Sequence, residues 1–115
     1  RVAHERSLRL YGPTSQRTQY AAVIRAQVEL DAGRTEQALP LIKQLDPALL
    51  KAGSTFDLWP AIVDALRGIA LQQRGDAAAA RPLLDSTLEA LKKDENWEQP
   101  TRLYVMAKRA RARLP

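Results

Sequence analysis

Two stretches of this chain, Arg25 to Ile42 and Arg67 to Leu84, carry one pattern 42 positions apart, and that offset limits the fold more than any other property. Arg25 and Arg67, Gly33 and Gly75, Ala38 and Ala80, Pro40 and Pro82, and Leu41 and Leu83 recur in the same order. The register extends further. Arg109 falls in phase with Arg25 and Arg67, and Tyr104 with Tyr20 and Ile62. Ser15, Asp57 and Gln99 share a third slot, at the starts of expected helices. Each copy reads as a helix, a short turn at glycine, and a second helix. A single hairpin of this kind cannot cover its own apolar face, so such units stack and bury a continuous core between neighbours.

The composition agrees with helices. Hydrophobic residues make up 45% of the 115 positions but aromatics only 5%, which leaves a core of Ala, Leu, Ile and Val. Alanine and leucine lose little side-chain freedom in a helix. No segment alternates with period two, so strands are not expected. A first helix is expected over 1–11, ending at Gly12-Pro13. Ser15 is placed to cap a second over 16–32, with Tyr20, Ile24 and Val28 as its apolar stripe. A third, over 35–45, would bury Ala38, Leu41, Ile42 and Leu45, and stop before Pro47. Residues 48–51 add a turn of helix before Gly53-Ser54-Thr55 breaks it. The fourth helix follows a cap at Asp57 and carries Ile62, Leu66 and Ile69. Asp76 caps the fifth, whose stripe is Ala80, Leu83, Leu84, Leu88 and Leu91. The polar run 92–96 precedes a last helix over 99–114. Pro40 and Pro82 lie beyond the first turn of their helices, where each removes one backbone bond and bends the helix start. Trp59 and Trp97, near helix starts, are assigned to packing.

Several function classes find no support. The chain has no cysteine, hence no disulfide, thiolate metal site or thiol nucleophile. His4 is the sole histidine, has no triad partners at motif spacing, and is expected on the surface. Asp94-Glu95 sits in a charged loop, where solvation explains it better than acid–base chemistry. No phosphate-binding glycine loop or metal-ligand cluster is present. The expectation is a non-enzyme without cofactor or metal. No apolar run reaches the ~20 residues of a membrane helix, so a membrane partner is not expected. The chain opens on Arg1 with no leader pattern and reads as a piece of a longer protein, its compartment open with the cytoplasm favoured. The net charge of +5 comes from the two ends, since residues 101–115 hold five basic side chains and no acid. Nucleic-acid contact through that basic helix is the weakest reading, because aromatic interleaving and a recognised motif are both missing.

A small residue, then glycine seven positions on, alanine five further and an apolar residue four further resembles the tetratricopeptide repeat. Those residues are Ala26, Gly33, Ala38 and Ile42, and again Gly68, Gly75, Ala80 and Leu84. The 42-residue period is similar to the kinesin-light-chain form found in bacterial repeat proteins. The resemblance implies an all-α fold of antiparallel hairpins stacked as a right-handed solenoid of five to six helices. One domain, 1–115, would comprise a helix of a preceding repeat (1–11), two repeats (16–52 and 57–93) and the start of another (97–114). The departures are Ala22 and Asp64, Arg25 and Arg67, and Glu29 and Leu71, where the family places large or aromatic residues. They leave open a core built instead on Ile24, Val28, Leu66 and Ile69. The resemblance also implies a scaffold that binds a protein or peptide on the concave face of its first helices. Carried over by position, the partner-binding residues are Tyr20, Gln27, Asp31, Ile62, Ile69, Gln73 and Tyr104. A regulatory module of a larger signalling or transcription protein is the alternative. The in-phase arginines either line the groove or pair with acids such as Glu29 and Asp64; the second is favoured.

Overall fold

A computed structural model describes residues 2–12, 15–51, 58–92 and 98–115. They form α1 (Val2–Tyr11), α2 (Gln16–Asp31), α3 (Thr35–Lys43), α4 (Pro47–Lys51), α5 (Trp59–Gln73), α6 (Ala77–Lys92) and α7 (Glu98–Ala112). All are helices, and no strand occurs among the described residues. Among the described residues the helices number seven rather than five or six, because the turn expected after Pro47 forms a helix of its own.

The two glycine turns are copies of each other in hydrogen bonding as well as in sequence. Gly33 and Gly75 adopt φ of 77° and 85°, a left-handed conformation that costs an L side chain. The Gly33 amide donates to the Leu30 carbonyl and the Arg34 amide to that of Glu29. Forty-two residues on, the Gly75 amide donates to Gln72 and the Asp76 amide to Leu71. This pair of nested bonds closes a helix by satisfying its last carbonyls. In the first turn the flanking side chains add a two-pronged ion pair, Arg34 to Glu29 at 2.9 and 3.1 Å. Glu29 is only 5% exposed, and its carboxylate holds the Arg34 guanidinium above its ordinary pKa through that hydrogen bond and charge.

The helix starts follow the expected chemistry where they are described. The Thr18 amide donates to Ser15 Oγ at 3.1 Å, and the Ala79 amide to Asp76 Oδ1 at 3.2 Å. Leu58 stands at the start of α5 without a side-chain cap. The expected cap at Asp57, the break at Gly53-Ser54-Thr55, Pro13 and Trp97 lie outside the described residues, as do the side chain of Gln99 and most of the 92–96 run.

The helices pack as two hairpins, α2 with α3 and α5 with α6. The second lies against the first through α5, and α7 lies against both α5 and α6. Helix α1 rests on α2. A close crossing is at Gly68, where an added methyl would stand 2.8 Å from Leu84 Cδ2. Ala26 and Ile42, at the corresponding positions of the first hairpin, are buried as well, again a small residue on the first helix and a large one on the second. Ala38, Leu41, Ile42 and Leu45 are buried as expected, as are Ile62, Leu66 and Ile69. In α6, Ala80, Leu84 and Leu91 are buried, while Leu83 and Leu88 are half-buried beside a buried Thr87. Trp59 is buried, with its ring edge-on to Tyr20 at 6.1 Å between centroids.

Two expectations are overturned. Tyr20, Ile24 and Val28 do not form the core stripe of α2; they are 40%, 41% and 50% exposed. The core face is Ala22, Val23, Ala26 and Leu30, with Thr18, Gln19 and Glu29 beside them. Small residues win this face because α2 must approach α3 closely, and bulkier side chains are left outside. Of the alternative core set, Leu66 and Ile69 are interior but Ile24 and Val28 are not. The buried polar side chains of this face, Thr18, Gln19 and Glu29, are paired. Gln19 donates to the Gln44 carbonyl and accepts from the Asp46 amide, at 2.9 and 2.7 Å, and so joins the end of α3 to the start of α4.

His4 is the second correction. It is 6% exposed, wedged between α1, α2 and the end of α3. Arg25 Nη1 lies 3.4 Å from its Nδ1, and the Gln44 amide lies 3.3 Å from its Nε2. Arginine can only donate, so Nδ1 accepts from Arg25. Burial first, and the Arg25 charge second, hold this imidazole below its ordinary pKa.

Candidate functional site

The sequence places larger apolar side chains than the core needs on α2, and they line a groove. Ile24, Gln27, Val28 and Asp31 are spaced i, i+3, i+4, i+7, which puts them on one helical face. Opposite stands a face of α7 with the same spacing, Arg102, Val105, Met106 and Arg109. Between them lies a recess of about 560 Å³. Ile24, Val28 and Val105 are each more than 40% exposed, so the groove has apolar walls open to water. A smaller recess of about 120 Å³ shares Asp31, Met106 and Arg109 with the first and continues to Ile69, Gln72 and Arg113.

The charged groups here are uncommitted among the described residues. Arg102, Arg109 and Arg113 make no ion pair among the described residues, and Asp31 does not close on Arg109. The Gln72 side-chain oxygen is buried without a hydrogen-bond partner among the described residues. Such an orphan acceptor costs free energy until something donates to it.

The residues carried over from the repeat resemblance divide. Gln27 and Asp31 line the main groove, and Ile69 and Gln73 line its smaller extension. Gln73 is already engaged, donating to the Leu30 carbonyl at 2.8 Å and bonded to the Thr35 hydroxyl. Tyr20 stands apart, against Trp59. Ile62 is interior, 2% exposed. Tyr104 is half-buried, with Lys108 Nζ 5.6 Å from its ring centroid. Sequence reasoning missed Ile24, Val28, Arg102, Val105 and Met106, while Arg109 was the one in-phase arginine for which the less favoured groove-lining alternative holds. The signal for the first two was present, since they share a helical face with Gln27 and Asp31.

The three in-phase arginines do not share one groove. Arg25 meets His4, Arg67 pairs with Asp64 at 3.4 Å, and Arg109 faces the groove. The arginine that pairs with Glu29 is Arg34, not Arg25. A third recess, of about 600 Å³ between α3 and α5, holds Arg67 and Arg74 beside Leu39 and Leu71. Arg74 there approaches Glu36 at 4.0 Å.

Among the described residues, no three His, Cys, Asp or Glu side chains gather as metal ligands, and no helix is long and apolar enough to cross a membrane. No family model, curated protein or solved structure matches the chain.

Proposed function

We propose that this chain is a non-catalytic interaction module of the tetratricopeptide type, and that a segment of another protein docks between α2 and α7. The observation that carries this reading is the groove itself, where Ile24, Val28 and Val105 face each other across open water. Each such residue would release apolar surface worth roughly 25 cal/mol per Å² on being covered. Nothing within the fold requires them to be apolar. The 42-residue period, the matched glycine turns and the hairpin-on-hairpin contacts support a solenoid of stacked repeats. In that arrangement first helices line a shared face, which is where α2 contributes its open side.

The test is a Val28→Glu variant of the chain, used as bait beside the parent with the intact protein's binding partners. Loss of specific capture, with an unchanged thermal melt by circular dichroism, is the expected result. Capture that survives the substitution would place binding elsewhere and remove this reading.

A further inference from the structure

The open face of α2 has a covered counterpart. Adding the repeat offset to Ile24, Gln27, Val28 and Asp31 gives Leu66, Ile69, Ala70 and Gln73 on α5. There Leu66 and Ala70 are fully buried and Ile69 is 3% exposed. Helix α7 packs on α5, and its Met106 and Ala110 border the same recess as Ile69 and Gln73. What α7 brings to the hairpin is a stripe of Leu103, Met106, Ala107 and Ala110, spaced i, i+3, i+4, i+7 and all buried. The first hairpin presents the equivalent α2 face with Ile24 and Val28 uncovered.

The groove's charge is one-sided. Arg102 and Arg109 on α7, about 10 Å apart in helix rise, and Arg113 just past its end point to the two recesses. Asp31 is the acid among the groove-lining residues. Both walls are helices, whose internal backbone groups are already bonded, so an occupant receives few main-chain partners. A helix, which satisfies its own backbone, suits such walls better than an extended strand.

Taking the proposed docking face as the starting point, we infer that its occupant is an acidic amphipathic helix from a partner protein. Its apolar stripe, spaced like that of α7, covers Ile24, Val28 and Val105. Its carboxylates lie along the α7 side and meet Arg102, Arg109 and Arg113 as charge-assisted hydrogen bonds. A donor on the occupant near the smaller recess satisfies the Gln72 oxygen.

The test is selection of the full chain against a display library of helical peptides randomised at all surface positions, followed by affinity measurement on synthetic winners. Expected winners carry Asp or Glu beside Leu, Ile or Met at i, i+3, i+4, i+7. Their binding weakens about tenfold or more in Arg109→Glu and in Arg102→Glu, and recovers when the peptide's acids become lysines. Winners that need Val28 but show no acidic bias, and ignore both arginine variants, overturn the acidic partner while leaving the groove as a docking face. Winners indifferent to Val28→Glu overturn the docking face as well. A single-stranded oligonucleotide that binds with Arg102 and Arg109 dependence, where no peptide does, overturns the inference in favour of nucleic acid. Circular dichroism melts of the three variants, all at exposed or groove positions, verify folding.

Discussion

Hairpins α2–α3 and α5–α6 start from one sequence pattern and end with different surroundings. Their turns are interchangeable, because the hydrogen bonds around Gly33 and Gly75 link the same offsets. Their outer faces are not. Ile24 and Val28 are 41% and 50% exposed, whereas Leu66 and Ala70 are fully buried. Local structure follows the residue types at each position, but burial follows the neighbour. Helix α5 is enclosed by α6, α7 and the first hairpin, while α2 has α1 on one side and the open groove on another.

Truncation at equivalent positions is the strongest way to break this comparison. Leu66→Ala should destabilise the chain by about 2–5 kcal/mol, as a buried leucine leaves a cavity. Ile24→Ala should stay within about 0.5 kcal/mol, as an exposed substitution does. Urea unfolding of the two variants measures both, and equal losses would mean that α2 and α5 are enclosed alike.

The turns offer a smaller and opposite test. Gly33→Ala and Gly75→Ala should each cost about 1–2 kcal/mol, because alanine is strained at positive φ and neither site has a steric clash. The two losses should agree within about 0.5 kcal/mol. A marked excess at Gly33 would show that the Arg34–Glu29 pair depends on the turn geometry, a feature the second turn lacks.

The smallest effect concerns His4, which serves the first hairpin alone. Its folded pKa lies below the unfolded value of about 6.5, so the unfolded chain takes up the proton first. Its contribution to stability is therefore complete above that pH and is lost as pH falls towards and through the folded pKa. The denaturation midpoint should drop on going from about pH 7 to about pH 5, by more than in a His4→Gln variant. Parallel pH profiles for the two proteins would place the proton elsewhere.

Much of this architecture could be read from residues in order. The offset between Gly33 and Gly75, the caps Ser15 and Asp76, and the stripes of α3, α5 and α6 each depend on a few adjacent positions. The face of α2 could not be read in this way, since the helix carries two apolar sides. Tyr20, Ile24 and Val28 form one, Ala22, Val23, Ala26 and Leu30 the other, and hydrophobicity alone prefers the larger residues. Close approach to α3 selects the smaller set, a condition that exists only once two helices are packed. The same holds for His4, whose partners Arg25 and Gln44 lie 21 and 40 residues away.

The sequence by itself determined the helices, their hairpin turns and the repeat that relates them, because backbone preference, capping and left-handed glycine act over one or two turns. Tertiary structure alone decided which copies of a repeated face are covered. It brought Ile24 and Val28 opposite Val105, and left Arg102 and Arg109 along one edge. That outcome depends on where α7 comes to rest on α5 and α6, and packing between elements distant in sequence is what places it there.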